Sequence, residues 1–345
     1  MKLKINENKE TEINKLTWGN NIFFIFRLIV FIFLLLILSK KLLFLPFSST
    51  SYNNYINVAY GFDKNYHYIT HVSMKSIMLS QNKDTYINFY LLISNITKNQ
   101  RTVIDEICIE YKNCKIKYLD MGNAFKEFNI SNVIWSTANF YRIKLPDLLL
   151  DEKKIIYLDT DTLVYKDLSK LYNHNINGKY YIGMLENKDD RFFKKYNCYF
   201  NNFINTGVLL CNLEELRKGN ISKKIQEFLL IHKYELEFPV NEPTNYITHK
   251  KNGYFSPEYA VIGFCNEDDA FSYYNYSKIK INKNEVLESY KDPYIYHFIY
   301  YTKPWRGITN KHGNVCFDPI MRFYEMAKKT KYYYKILKEF PVNIK

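Results

Sequence analysis

Residues 154–158, KIIYL, are apolar at every position after the lysine, so a strand formed here has no face to give to water. Such a strand needs cover on both sides, as in the middle of a largely parallel sheet clad by helices. The preceding chain has the alternation that builds one. Ile56–Tyr60 (INVAY) reads as a strand ending at Gly61, and Tyr66–Ser80 as a helix that turns Ile69, Val72, Ile77 and Leu79 inward. Tyr86–Ile93, a helix over Lys98–Tyr111 and a strand over Lys115–Leu119 repeat the pattern. Asn139–Leu150 reads as helical with a break at Pro146. Beyond the central strand, Tyr180–Leu185, Ile204–Leu210 and Tyr294–Ile299 suggest strands and Ser222–His232 a helix. The expectation is an α/β domain with a mixed, mostly parallel sheet. At 345 residues and 47% hydrophobic content, with only 11 Gly and 9 Pro, the chain has the apolar surface for a large core and lacks the composition of a linker or disordered chain.

The central strand runs into Asp159-Thr160-Asp161-Thr162. Ligands of open α/β sheets bind beyond the carboxyl ends of the strands, so these side chains lie where chemistry is expected. Carboxylates at alternate positions can point to one side and clasp a hard divalent cation, the arrangement that bridges to a diphosphate. The same Asp-x-Asp-x-Thr also opens the haloacid-dehalogenase-like phosphatases, in which the first aspartate is a phosphoryl-accepting nucleophile. Against that rival, about a hundred residues of α/β pattern precede the motif, and Asp189-Asp190 and Asp268-Asp269 are weak candidates for its downstream acidic loop.

Several ordered segments together resemble the family 8 glycosyltransferases, retaining enzymes of the GT-A fold that include lipooligosaccharide galactosyltransferases and glycogenins. They are INVAYGFDKNYHYITHVSMKSI (56–77), STANFYRIKLPDLL (136–149), KIIYLDTDTLVYKDLSKLY (154–172), FINTGVLLCNL (203–213) and HFIYYTKPW (297–305). The resemblance implies a UDP-sugar donor, a glycan, glycolipid or glycoprotein acceptor, and Mn2+ or Mg2+. It gives Asp63 and Asn65 to the uridine, Arg142 to the donor phosphate or sugar, and Asn205 and Gly207 to the sugar. Asp159, Asp161 and His297 become the metal ligands, and Lys303 faces the departing diphosphate. Each residue also has a plain structural reading: turn formers for Asp63 and Asn65, a core imidazole for His297, a surface lysine for Lys303. The chain departs from the family where an Asp-Gln pair is usual and Asn241-Glu242-Pro243 stands, and where Tyr300 replaces a glycine. Glu242 is either a carboxylate beneath the anomeric carbon or a helix-start acid. Glu186, after YYIGML, is a further candidate sugar or acceptor contact. A tethered pseudoenzyme that binds glycans is the non-enzymatic alternative.

Ile22–Leu38 is apolar except for Arg27 and is close to a bilayer span in length. Lys2, Lys4, Lys9 and Lys15 precede it, which favours a single-pass type II protein with its catalytic domain in a Golgi or ER lumen if eukaryotic. The expected division is a tail (1–21), an anchor (22–44), a stem (45–55), a catalytic domain (56–320) and a helical C-terminal extension (321–345). The net charge of +13 is spread among Asn and Tyr without a nucleic-acid-binding motif, so no nucleic-acid partner is expected. Six cysteines show no zinc spacing, leave disulfide connectivity open, and place Cys211 in an apolar run as core.

Overall fold

The computed structural model describes residues 27–33, 52–128, 136–186, 203–232, 234–265, 282–299, 302–305 and 316–341. Residues 1–51 form a separate unit, of which only 27–33 are described, as helix. Most of the expected anchor thus lies outside the described residues, and among those described no helix is long and apolar enough to cross a membrane.

The second unit begins with β1 (Asn54–Asp63), α1 (His67–Ser80), β2 (Thr85–Ser94), α2 (Lys98–Glu110) and β3 (Cys114–Asp120). A 3-10 segment (Thr137–Lys144) then leads through α3 (Leu145–Leu148) to β4 (Lys154–Leu158), β5 (Thr162–Val164), α4 (Ser169–Tyr172) and β6 (Tyr181–Leu185). There follow β7 (Ile204–Asn212), α5 (Leu213–Lys218), α6 (Ile221–His232), α7 (Asn241–Thr248), β8 (Asn252–Phe255) and β9 (Val261–Ile262). The described chain ends with α8 (Lys283–Lys291), β10 (Ile295–His297), α9 (Phe317–Ala327) and α10 (Tyr333–Glu339).

Seven strands form one sheet in the order β3-β2-β1-β4-β7-β6-β8, in which β1 pairs in parallel with both β2 and β4, while β7 runs antiparallel to β4 and β6. The chain moves outward from β1 to β3 and returns to the other side of β1 as β4. A crevice therefore opens where Asp63 and Asp159 leave adjacent strands. A smaller sheet, β5-β10-β9, carries His297.

Alternate residues of the central strands enter two separate cores, as the double cover requires. Val58, Tyr60, Ile156, Leu158, Val208 and Leu210 pack with α1, α2 and the C-terminal helices; Ala59, Ile155, Tyr157, Leu209 and Cys211 pack against the 3-10 segment, α5 and α6. At the C-terminal end α9 begins at Phe317, and Ile320 and Phe323 of α9 with Ile336 of α10 belong to the first core. Cys211 is buried and unpaired, whereas Cys108 pairs with Cys114 and Cys265 with Cys316.

Two turn signals act differently from their sequence reading. β1 pairs with β2 through Gly61 as far as Asp63, and Gly61 is there because the 3-10 segment crosses it closely; a Cβ would lie 3.0 Å from the Ala138 carbonyl and 3.3 Å from the Tyr157 hydroxyl. Pro146 does not break a helix: it occupies the first turn of α3, where no intrahelical N–H is needed.

His71 of α1 is buried, bonds through Nδ1 to the Val103 carbonyl at 2.8 Å and packs edge-on to Tyr332. Burial pushes its pKa down to about 4, with Lys75 acting in the same direction and the Val103 carbonyl opposing. The folded state keeps the ring neutral while the unfolded chain takes up a proton below about pH 6.5. Stability therefore falls as pH drops from about 6.5 toward 4, by about 2 kcal/mol at pH 5 from this group. Urea unfolding at pH 7 and pH 5 should show a smaller loss for His71→Gln than for the wild type; equal losses would remove His71 as the cause.

Candidate active site

The Asp-x-Asp loop is pinned by backbone on both sides. The Asp159 N–H donates to the Gly207 carbonyl at 2.7 Å, extending the β4–β7 ladder by one residue, and the Asp161 carbonyl accepts from the Phe298 N–H at 2.9 Å. Between them the Thr162 hydroxyl donates to the Asp159 carbonyl at 2.8 Å and tightens the turn. His297 lies opposite Thr162 in the β5–β10 pair. The large sheet thus supplies Asp159, the small sheet His297, and the loop joining them Asp161.

The side chains converge. His297 Nε2 is 3.3 Å from Asp161 Oδ1 and 3.7 Å from Asp159 Oδ2, and Lys303 Nζ is 2.5 Å from Asp161 Oδ2. Burial pushes the Asp161 carboxyl up, but Lys303 and His297 beside it outweigh that and hold it well below the usual carboxylate range. Asp159 Oδ1 accepts from Arg142 Nη2 at 2.6 Å and from the Tyr157 hydroxyl at 3.1 Å. Each aspartate therefore has its own cation, which offsets their mutual repulsion.

One ligand atom from each of Asp159, Asp161 and His297 lies within 4.8 Å of the others. His297 is 2% exposed, and both its ring nitrogens are buried without a hydrogen-bond partner, its approach to Asp161 falling outside hydrogen-bonding geometry. A buried imidazole nitrogen left unpaired beside two carboxylates fits a divalent cation with oxygen and nitrogen ligands. Gly207 makes the room: a Cβ there would collide with the His297 ring and stand 2.7 Å from Asp159 Oδ2.

These groups floor a cavity of about 450 Å³. Asp63 leaves β1 and Glu186 leaves β6, three strand positions away in the sheet order, so the cavity is long, roughly 14 Å between those strands. At the β1 side, Asp63 Oδ1 accepts from the Asn65 N–H at 2.9 Å and Oδ2 from the Ser136 hydroxyl at 2.5 Å, and Asn65 and Tyr66 line the wall. At the β6 side, Glu186 Oε2 accepts from Asn241 Nδ2 at 2.8 Å and Asn205 Nδ2 at 3.3 Å, and Asn205 Oδ1 holds the Gly207 N–H at 2.8 Å.

Of the residues singled out in the sequence, Asp63, Asn65, Arg142, Asp159, Asp161, Glu186, Asn205, Gly207, His297 and Lys303 all line this cavity. Two have different surroundings from those expected. The Arg142 guanidinium is committed to Asp159, to the Thr206 carbonyl and hydroxyl, and to the Asn139 carbonyl, and it stacks 4.4 Å over the Tyr157 ring. It braces a metal-ligand candidate. Glu242 is outside the cavity lining and 1% exposed, with Oε1 accepting from the Glu237 and Phe238 N–H groups at 2.8 and 2.6 Å. It sits in the first turn of α7, as the helix-start reading has it, and it fixes the loop whose Phe238, Pro239 and Val240 wall the cavity. Thr206 and Asn241 join the lining without a signal in the sequence: Thr206 lies between Asn205 and Gly207, and Asn241 stands where the family usually has its Asp-Gln pair. Tyr300, Asp189-Asp190 and Asp268-Asp269 lie outside the described residues.

Residues 57–309 match the family model described as Glycosyl transferase family 8. General stress protein A of Bacillus subtilis is 24% identical over 68% of this chain and 89% of its own length. The lipopolysaccharide glucosyltransferase WaaO of Escherichia coli is 24% identical over 72% of each chain. Among solved structures, the galactosyltransferase LgtC in complex with donor and acceptor sugar analogs superposes with a TM-score of 0.65 at 20% identity, over 80% of this chain and 96% of that one. The fold is thus GT-A-like. The family match sets the phosphatase alternative aside.

Glu242→Gln tests the reassignment. The amide oxygen still accepts from the two loop N–H groups, so turnover should stay within about tenfold of wild type, whereas loss of a catalytic carboxylate costs about 10³-fold or more. Steady-state kinetics on the purified variant decide between them.

Proposed function

Because the chain belongs to glycosyl transferase family 8, we propose that it transfers a hexose from a UDP-sugar to a glycan or glycoconjugate acceptor, with retention at the anomeric carbon. The observation that carries this reading is the meeting of Asp159, Asp161, His297 and Lys303 midway along a cavity that runs from Asp63 to Glu186.

In this reading the β1 side takes the nucleoside: Asp63, fixed by Ser136 and Asn65, presents a turn against which Tyr66 forms a wall. Asn205, Asn241 and Glu186 face the sugar. A divalent cation, Mn2+ or Mg2+, held by Asp159, Asp161 and His297 would neutralise the diphosphate and stabilise the charge left on UDP. Lys303 adds a fixed positive charge at the same point. Arg142 keeps Asp159 ionised and oriented. Among the described residues the carboxylates lining the cavity are Asp63, Asp159, Asp161 and Glu186, and each is already bonded within the protein. Glu242 is turned away. Attack by the acceptor on the leaving-group side, with a diphosphate oxygen taking the proton, needs no further protein base, and this supports retention.

The test is UDP release by the purified chain across a panel of UDP-sugars, with and without manganese. Asp161→Asn should nearly abolish release, since a neutral amide cannot balance the cation. Lys303→Ala should lower the rate by about 10²- to 10³-fold, the scale for one preorganised charge stabiliser. Wild-type transfer by Asp161→Asn would make the aspartates a structural turn and sink the assignment.

A further inference from the structure

β7 makes a detour next to the aspartates. Gly183 of β6 pairs with Leu209, but the next residue, Met184, pairs with Asn205, so Thr206, Gly207 and Val208 oppose no residue of β6. The detour is what brings the Thr206 carbonyl to Arg142 and Gly207 against His297 and Asp159. A bulge re-aims the side chains it displaces, and the residues at its ends set where they point. Val208, at one end, pairs with Leu158 of β4.

The other end pairs with β6 through Asn205 and Ile204, and a side chain holds it as well. Asn245 of α7 is fully buried; its Oδ1 accepts from the Ile204 N–H at 2.9 Å, and its Nδ2 donates to the Ile204 carbonyl at 2.8 Å and to the Asn241 carbonyl at 2.8 Å. An asparagine amide has two donors and an acceptor oxygen, and here each finds a partner. Asn245 thus acts toward Ile204 as a neighbouring strand would, one residue before Asn205. It also ties Ile204 to the first turn of α7, where the Asn241 side chain meets the Thr206 hydroxyl and Glu186.

We infer that Asn245 is a positioning residue for recognition of the donor sugar: through Ile204 and Asn241 it sets the spacing and orientation of Asn205 and Asn241, the two amides facing the sugar. The inference rests on the reading of the cavity as a nucleotide-sugar site. It places no contact between Asn245 and substrate. Its effect falls on discrimination between sugars, and the nucleoside side, held by Asp63 and Ser136, is left alone.

The experiment uses the full chain carrying Asn245→Asp, which keeps size and acceptor but removes both donors, beside the wild type. UDP affinity in the presence of manganese is measured by calorimetry, and kcat and KM are measured for UDP-glucose and UDP-galactose. UDP affinity should stay within about threefold, while kcat/KM for the preferred hexose falls more than for its epimer, narrowing the preference by about tenfold. An equal fall for both sugars, or a loss of UDP affinity in parallel, would reduce Asn245 to a general structural role and overturn the inference. Should Asn245→Asp fail to fold, Asn245→Ser, whose single short hydroxyl cannot span both Ile204 and Asn241, must narrow the preference in the same way. If the wild type binds UDP but processes neither hexose, the functional reading fails with it; if the wild type discriminates and both variants do so equally well, only the inference fails.

Discussion

Two backbone hydrogen bonds, from the Asp159 N–H to Gly207 and from the Phe298 N–H to Asp161, hold the Asp-x-Asp loop between two sheets. Side-chain attraction alone could not set this geometry, because two carboxylates so close repel each other. With the backbone fixed, His297 arrives from the small sheet and Lys303 from the segment after it, and Arg142 reaches the opposite side of Asp159. The β7 detour supplies the clearance, and only glycine at 207 leaves the imidazole and Asp159 their places.

The double core serves that arrangement. β4 is buried on both faces, so its end is rigid, and its last residues cannot shift without disturbing Ile155 and Tyr157 in one core and Ile156 and Leu158 in the other. Tyr157 belongs to both packing and chemistry: its ring lies under Arg142, and its hydroxyl donates to Asp159. A substitution there would reach the site without touching a substrate.

Much of this was legible in the residues. The central strand, its helical cover and the aspartates follow from KIIYLDTD, since a buried strand leading into alternate carboxylates has few other uses. Strand and helix bounds agreed to within a few residues where apolar periodicity was strong, as in α1 and β2. What could not be read was direction. Gly61 and Pro146 look like stops in one dimension, yet one accommodates a neighbouring segment and the other begins a helical turn. Arg142 and Glu242 stand at suggestive positions, but their bonds go to Thr206 and to the loop N–H groups, partners between 4 and 64 residues away. Asn245 gave no signal, because an asparagine that completes a bulged strand resembles any other in an Asn-rich chain.

The central claim is that Asp159, Asp161 and His297 form one metal site on which a nucleoside diphosphate rests. Crystals grown with manganese and UDP, measured at a wavelength where manganese scatters anomalously, test it most directly. The account predicts a single anomalous peak about 2.0–2.2 Å from an oxygen of each aspartate and from His297 Nε2, with the diphosphate against it and close to Lys303. Bound UDP with no peak at these three residues, or a peak held by other ligands, would contradict it.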